Sequence, residues 1–242
     1  MKAELQFSPQ IQVSDTVIPH QILGFYDKLS QQKPSTSHWK KKKEQELWHE
    51  LCFCILSGNV SFELAKSVID TLKDKVLLDQ HWIIEDSKSL KILNAALEKS
   101  QFLPLKSNGE LRKYRYPNKR SSQIVTAAKV IYSDNKSLKK ILSKFESDIE
   151  TRSYLFNEIS GLGIKEASHF LRNIHYSNSL AIIDVHILSF LKKNNLIPQN
   201  TSVTPNSYLK LERILRNLAD FHGLDLAIFD LAIWHYMRKN FQ

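Results

Sequence analysis

Apolar side chains recur at helical spacing along most of the chain beyond about residue 38. The first clear series contains Trp39, Leu47, Trp48, Leu51, Ile55 and Leu56. Similar patterns predict further helices over roughly 61–73, 86–101, 121–132, 136–146, 206–221 and 224–239. No segment alternates convincingly between apolar and polar residues as a half-buried strand does. The pattern therefore predicts an all-α protein.

The last predicted helix is apolar on most sides, so we expect it to be largely buried. Residues 1–37 differ from the rest, because their mixed pattern is interrupted by Pro9, Pro19 and Pro34. Proline disfavours helical backbone at the residue before it. We interpret residues 1–37 as an extended N-terminal arm and residues 38–242 as the body of the protein.

Two segments are strongly basic. Lys40–Lys43 precede the first helix and are most often a solvated face, with phosphate contact as the minority interpretation. Residues 106–120 carry six basic residues and one acidic residue, with Tyr114 and Tyr116 between them. Such a loop is typical of nucleic-acid contact, although a surface loop anchored by tyrosines is equally common. Pro117 is expected to interrupt a helix here.

Composition narrows the class of protein. Hydrophobic residues make up 42% of the 242 residues and charged residues 24%, as in ordinary globular proteins. The net charge of +9 favours polyanionic partners, since neutralised phosphates release their counterions. Cys52 and Cys54 cannot share one helix face and are interpreted as reduced core residues, neither a disulfide nor a metal pair.

Neither a signal peptide nor an apolar run of about 18 residues is visible. We therefore expect no membrane contact and a cytoplasmic protein associated with the nucleoid, or a nuclear one in a eukaryote.

Residues 155–190 combine a glycine turn with chemically versatile side chains. Gly161 and Gly163 flank Leu162 between two predicted helices. Glycine allows a sharp reversal that exposes consecutive amides, and amides at a helix start bind phosphate. The alternative is a simple helix stop followed by a new helix near Ile164, with Leu162 filling the core.

Lys165 lies in the first turn of the second helix, where the helix dipole disfavours a positive charge. A lysine becomes nucleophilic only as the neutral amine, which requires a pKa well below its usual value of about 10.4. Most lysines are instead solvated. Asp184 follows the apolar run 180–183 and is well placed as a helix N-cap. A rigid capping carboxylate could also support acid–base chemistry beside a lysine nucleophile.

Taken together, these residues carry a family resemblance. The sequence GLGIK at residues 161–165, with Asp184, resembles the helix-hairpin-helix, Gly/Pro-rich loop and Asp motif of base-excision DNA glycosylases. GLGIKEASHFLRNI and AIIDVHIL resemble, more narrowly, the archaeal-type 8-oxoguanine DNA glycosylase/AP lyase family. LWHELCFCILSGN and YRYPNKR match it in order and spacing, so the resemblance extends from about Trp39 to Trp234.

The resemblance implies a two-lobed fold with DNA in the cleft between a middle-helix lobe and a lobe of N- and C-terminal helices. Lys165 would attack C1′, release 8-oxoguanine and cut the strand by β-elimination, while Asp184 stabilises positive charge on the sugar. Gly161 and Gly163, with Lys119 and Arg120, would contact the DNA backbone. Trp234, Asp230 and Asn59 are expected in the pocket for the extruded base.

Several features bear on what binds. No cysteine follows Cys54, which excludes the iron–sulfur cluster of some relatives. We expect a monomer without a cofactor or resident metal; in related proteins the hairpin carbonyls can hold a monovalent cation. Val185 replaces the family's usual arginine, and the chain ends in Gln242 where relatives often end in lysine. Two alternatives are a bifunctional glycosylase for another oxidised base and a non-catalytic DNA-binding module.

Overall fold

The computed structural model describes residues 16–32 and 36–240. The regular secondary structure of these residues is helical, without β-strands. The chain divides into two compact units. The central unit is Pro34–Ser177, and the terminal unit combines Met1–Lys33 with Asn178–Gln242. The all-α prediction is confirmed.

The central unit contains eight α-helices among the described residues. They are α2 (Glu44–Ser57), α3 (Phe62–Asp74), α4 (Gln80–Glu85), α5 (Ser89–Glu98), α6 (Pro117–Tyr132), α7 (Leu138–Leu142), α8 (Asp148–Glu158) and α9 (Ile164–Asn173). Helix α2 lies at its centre, packed against α3, α6 and α9. Trp48, Leu51 and both cysteines are fully buried there, so the prediction of core cysteines is confirmed. The Trp48 indole also donates to the Leu78 carbonyl at 2.9 Å.

Pro117 begins α6 instead of interrupting a helix, which corrects the sequence prediction. Proline suits the first helical position, because its missing N–H would have no partner there and its φ is already helical. Helix α4 was not predicted. It is short, and its start depends on the Asp79 carboxylate, which accepts from the Trp82 amide at 2.8 Å. Helix α7 is shorter than predicted, since it covers only residues 138–142 of the predicted 136–146.

The terminal unit contains α1 (His20–Ser30), α10 (Val185–Lys193), α11 (Pro205–Phe221) and α12 (Leu226–Asn240) among the described residues. Helix α1 packs along α12, and α12 also contacts α10 and α11. Most apolar side chains of α12 are buried, as predicted. No helix in residues 16–32 and 36–240 is long and apolar enough to cross a membrane.

The expectation of an extended arm is wrong for residues 20–30, which form α1. Ile22 is fully buried, and the Phe25 ring stacks on His235 of α12 at a centroid distance of 5.6 Å. The Tyr26 hydroxyl accepts from the Asp225 amide just before α12. These contacts with a distant helix are what local sequence patterns miss. Residues 1–15 and 33–35 of the predicted arm lie outside the described residues.

Candidate active site

The glycine turn joins α8 to α9 as a compact hairpin. The Leu162 amide donates to the Ile159 carbonyl at 3.2 Å, and the Gly163 carbonyl accepts from Ala167 in the first turn of α9. Leu162 is 4% exposed, so its side chain fills the core between the two helices. The predicted helix start near Ile164 is confirmed. The hairpin therefore has both features considered from sequence, a core leucine and a helix N-terminus next to it.

Two different constraints act on the two glycines. Gly161 has φ +93°, a conformation that a side chain makes costly, and an added Cβ would lie 3.1 Å from Ile55 and from Gln123. Gly163 has an ordinary φ of −78°. A Cβ at Gly163 would lie 2.7 Å from Oε2 of Glu166, which is the end of a flexible side chain. Of these two positions, only 161 has a backbone conformation that requires glycine.

Lys165 is the second residue of α9, and its side chain is 30% exposed. Its Nζ lies 3.6 Å from Oε1 of Glu166, whose carboxylate also lies beside Gly163. The ammonium group and the hairpin turn therefore share one neighbouring carboxylate. Glu166 was not selected from sequence, although an acid three residues after a helix N-cap is a recognised signal.

Two titratable groups that feel the charge of Lys165, His169 of α9 and Cys54 of α2, have pKa values shifted by burial. The His169 ring packs on Phe53, and burial, followed by the charges of Arg172 and Lys165, lowers its pKa to about 3. Burial raises the pKa of the Cys54 thiol, with Glu50 and Glu166 adding to that effect. His169 and Cys54 are therefore neutral near pH 7.

Asp184 lies in the terminal unit, where it caps α10. Its Oδ1 accepts from the amides of His186 and Ile187 at 2.9 and 3.0 Å, which fixes the carboxylate at the helix start. The predicted N-cap is thus present. Lys165 belongs to the central unit, so the two candidate catalytic residues lie in different units.

The segment before Asp184 is extended and fully buried, yet it pairs with no strand among the described residues. Its backbone groups are satisfied by side chains of α11 and α12. The Ala181 amide donates to Glu212, the Ile182 amide donates to Asp230, and the Ile183 amide donates to the Tyr208 hydroxyl, at 3.0, 2.6 and 3.2 Å. That hydroxyl in turn donates to the Ala181 carbonyl at 2.8 Å. These side chains hold the segment that carries Asp184.

Sequence reasoning missed Tyr208 and Glu212 altogether. Their only signal was the presence of polar residues on the apolar face of a predicted helix. Asp230 was predicted in a base pocket, but it is 1% exposed and its carboxylate accepts from the Ile182 backbone. The structure therefore gives Asp230 a structural role, and its place in the base pocket stays a prediction.

Trp234 lies one turn beyond Asp230 on α12 and is partly exposed. His186 of α10 approaches the indole edge-on at 6.2 Å, and the Arg238 guanidinium lies over its ring at 4.5 Å. A partly exposed indole next to the helix that Asp184 caps is a suitable surface for stacking a flat base. Placement of Trp234 in the base pocket stays a prediction.

Asn59, the third predicted pocket residue, belongs to the central unit, whereas Trp234 and Asp230 belong to the terminal unit. It is exposed, with φ +61°, in the turn after α2. Asparagine tolerates this left-handed conformation better than most residues. Its side chain is therefore displayed on a rigid turn next to Gly58.

Arg120 holds that turn from α6. Its Nη2 donates to the Gly58 carbonyl and its Nη1 to Gln123, both at 2.9 Å. Arg120 is 7% exposed, and its Nε has no partner among the described residues. These bonds give Arg120 a structural role, and its contact with the DNA backbone stays a prediction. Lys119 is exposed on α6, and its DNA contact stays a prediction.

The basic loop 106–120 also contains one buried, structural side chain next to side chains at the surface. Tyr114 is buried, and its hydroxyl donates to the Leu56 carbonyl at 2.7 Å. Burial raises the pKa of Tyr114 to about 12. It thus anchors the loop, whereas Arg115 and Tyr116 stack at 5.1 Å near the surface.

Residues 16–32 and 36–240 contain no group of three or more His, Cys, Asp or Glu side chains arranged to hold a metal ion.

The described residues form helices, and a glycine hairpin precedes the helix that carries Lys165 in its first turn. An aspartate caps a later helix. These features are those of the class of helix-hairpin-helix DNA glycosylases. Solved structures agree with that class. The crystal structure of the Methanocaldococcus jannaschii 8-oxoguanine glycosylase/lyase, in complex with a 15mer DNA containing 8-oxoguanine, matches with TM-score 0.66 and 29% identity. The match covers 92% of this chain and 90% of that one.

Sequence comparison identifies the family within that class. The family model described as 8-oxoguanine DNA glycosylase matches residues 30–224. The 8-oxoguanine DNA glycosylase/AP lyase of M. jannaschii is 33% identical over 89% of this chain and 90% of its own length. The protein of the same name from Korarchaeum cryptofilum is 32% identical, over 81% and 82% of the two chains. The chain belongs to the 8-oxoguanine DNA glycosylase family.

Proposed function

We propose that this protein removes 8-oxoguanine from duplex DNA and then cuts the strand at the abasic site, with Lys165 as the nucleophile. The observation that carries the proposal is the position of Lys165 in the first turn of α9, directly after the hairpin, within a chain of this family. To react, this lysine must first lose its proton, because only the neutral amine is nucleophilic.

In the proposed reaction, the free amine of Lys165 attacks C1′ of the damaged nucleoside. The glycosidic bond breaks, and the departing base takes the bonding electron pair and a proton. The remaining amine–sugar adduct opens to a Schiff base. Loss of a proton from C2′ then expels the 3′ phosphate, which cuts the strand by β-elimination.

Asp184 stabilises the positive charge that develops on the deoxyribose as the base leaves. A carboxylate suits this role when its position is fixed before the reaction, because little reorganisation is then needed. The two amides bonded to Oδ1 and the buried segment 180–183 supply that rigidity. Capping and catalysis are therefore compatible roles for this side chain.

The hairpin holds the DNA backbone next to the damaged nucleotide. The amides at the start of α9 and the helix dipole favour a phosphate there. The exposed Lys119 of α6 adds a second backbone contact, and Trp234 stacks on the extruded base. Duplex DNA with an 8-oxoguanine or abasic site is the substrate, and the protein acts as a monomer.

Borohydride trapping tests the proposal. With an 8-oxoguanine duplex, the wild-type protein should give a covalent protein–DNA adduct, because borohydride reduces the Schiff base. Lys165→Gln should give no adduct while still binding the duplex, and Lys193→Gln serves as the matched control. If the wild-type protein gives no adduct, the chain is a DNA-binding module without this chemistry. If the adduct forms with thymine glycol and not with 8-oxoguanine, the substrate is a different oxidised base.

Asp184→Asn separates catalysis from capping. Asparagine caps helices about as well as aspartate, so the free energy of unfolding should change by less than about 0.5 kcal/mol. Base release should nevertheless slow by about 100-fold or more, since charge stabilisation of this kind is worth roughly 3 kcal/mol. Single-turnover base release and chemical denaturation give the two numbers. Loss of stability in parallel with activity would mean that Asp184 acts only as the N-cap of α10.

A further inference from the structure

The carboxylate of Glu166 lies against both the hairpin turn and the ammonium group of Lys165. Its Oε1 is 3.6 Å from Nζ of Lys165, and its Oε2 is 2.7 Å from the point that a Cβ on Gly163 would occupy. We infer that Glu166 is a positioning residue, whose carboxylate keeps the Lys165 ammonium group from pairing with the DNA phosphate at the hairpin. This role rests on the proposed function, which supplies that phosphate and assigns the nucleophile.

An α-helix does not bring two consecutive side chains together by default. Neighbouring residues point about 100° apart around the helix axis, so their side chains do not face each other. Lys165 and Glu166 meet because the Glu166 side chain turns back toward the hairpin, as an acid three residues after an N-cap commonly does. The hairpin, and not helical spacing, therefore sets this pair.

Gly163 leaves room for the carboxylate. Its φ of −78° suits any residue, so backbone conformation does not account for glycine at this position. Among the described residues beyond its two chain neighbours, only Glu166 has atoms within 4 Å of an added Cβ, namely Oε2 at 2.7 Å and Cδ at 3.8 Å. The Glu166 side chain is 18% exposed. The space that a side chain at position 163 would take is thus filled by this carboxylate.

A carboxylate at this place should weaken DNA binding. The amides at the start of α9 favour a phosphate, and a like charge next to that phosphate opposes association. In the free protein the same amides and the helix dipole favour the negative charge of Glu166. A hairpin that served DNA binding alone would gain affinity from a neutral side chain at position 166.

The neighbouring lysine gives the carboxylate a use. An ammonium group next to a bound phosphate pairs with it in a charge-assisted hydrogen bond of about 2.7–2.9 Å. Such a bond would hold Nζ of Lys165 at the backbone, away from C1′ of the extruded nucleotide. The 3.6 Å contact with Glu166 is longer than a hydrogen bond, so the amine leaves it more easily. Glu166 thus keeps the nucleophile beside the hairpin without binding it tightly.

A double-mutant cycle separates the two charged groups. Glu166→Gln and Lys165→Gln are made alone and together, since glutamine keeps the size and polarity of glutamate without its charge. Glu158→Gln is the matched control, because it removes an exposed acid at the end of α8, three residues before Gly161. Binding of an undamaged duplex is measured across a range of salt concentrations, because the slope of log affinity against log salt reports phosphate contacts.

Glu166→Gln should bind more tightly at low salt, with a slope steeper by about one, because the Lys165 ammonium group gains a phosphate contact. In the Lys165→Gln background the same change should leave the slope as it was, since no ammonium group remains there. Glu158→Gln should have the same effect in both backgrounds. A steeper slope for Glu166→Gln in both backgrounds, or in neither, would overturn the inference.

Single-turnover release of 8-oxoguanine at saturating protein is the second measurement. Glu166→Gln should react about tenfold more slowly or worse, because a displaced nucleophile loses its alignment with C1′. Glu158→Gln should keep the wild-type rate. Tighter binding with a slower reaction is the opposite of what a folding defect gives, because misfolded protein loses both. A slower reaction with weaker binding would mean that Glu166 only stabilises the hairpin.

This role and the proposed activity can fail separately. Binding of undamaged DNA does not require excision, so the predicted slopes in a protein that gives no borohydride adduct would support the effect of Glu166 on Lys165 and remove the activity. An adduct with wild-type protein, together with slopes that Glu166→Gln leaves unchanged, would keep the activity and remove the role of Glu166.

Discussion

The hairpin of the central unit and the segment 180–184 of the terminal unit position their functional side chains in opposite ways. Lys165 is placed by its immediate neighbours, a left-handed Gly161, a buried Leu162 and the first turn of α9. Asp184 also caps its own helix, but the segment leading to it is held by side chains that are 25 to 48 residues further along the chain. One site is local and the other depends on tertiary structure.

This difference determines which substitutions should disturb each site. Changes within a few residues of Lys165 should damage the hairpin. The segment carrying Asp184 should instead respond to changes at Tyr208 and Glu212 of α11 and at Asp230 of α12, which bind its backbone amides. Four substitutions test the comparison, in order of decreasing effect.

Asp230→Ala should have the largest effect. It removes the buried acceptor of the Ile182 amide, and an unsatisfied buried donor that has lost a charged partner costs about 3 kcal/mol. Chemical denaturation should show that loss, and base release should fall with it as segment 180–183 loosens. A role in base recognition predicts the reverse, unchanged stability with slower excision of 8-oxoguanine alone.

Gly161→Ala tests the local site. The left-handed φ and the 3.1 Å contacts with Ile55 and Gln123 should lower the free energy of unfolding by about 2 kcal/mol. Gly163→Ala is the matched control. Its φ is ordinary and its new contact is with a flexible carboxylate, so it should cost only about 0.5–1 kcal/mol, as expected for alanine at an N-cap. Equal losses would contradict the distinction between the two glycines.

Arg120→Leu should cost about 1–2 kcal/mol, because the buried Gly58 carbonyl loses its donor. The salt dependence of duplex binding should stay unchanged, since a buried guanidinium does not release counterions. A direct phosphate contact would instead make the salt slope shallower by about one while leaving stability intact. Lys119→Gln is the companion measurement, with the opposite expectation.

Glu50→Gln should give the smallest effect, and in the stabilising direction. Burial raises the pKa of Glu50 above its usual value of 4.5, although Asn173 and nearby lysines oppose that shift. The folded protein therefore binds the proton more tightly than the unfolded chain. Above the folded-state pKa, the buried charge costs stability that glutamine avoids.

Denaturation across a pH series checks this sign. The advantage of Glu50→Gln should be present near pH 7, decline as the pH falls through the folded-state pKa and disappear below about 4.5. Glutamine keeps an acceptor for the Asn173 amide, so the hydrogen bond is not the variable. An advantage that persists at low pH would show that packing, not ionisation, is responsible.

The same contrast explains what the sequence could predict. The hairpin, the start of α9, the capping role of Asp184 and the burial of α12 follow from patterns spanning a few residues. Helix α1 could not be recognised, because its apolar face is explained only by α12 at the far end of the chain. The prolines around it favoured an extended interpretation.

The structural roles of Asp230 and Arg120 were missed for a related reason. Each is a charged residue in a segment that matches the family, so function was the natural prediction. Which buried backbone group lacks a partner is known only once the chain has folded. Ile182 and Gly58 supply those unpaired groups, and the two charged side chains satisfy them.

The anchoring of residues 180–183 also bears on the order in which the enzyme is made. A nascent chain that has emerged as far as Asp184 already contains the hairpin and both candidate catalytic residues. It still lacks Asp230, whose carboxylate comes 48 residues after the amide it binds. The buried amide of Ile182 therefore finds its acceptor only after helix α12 has left the ribosome.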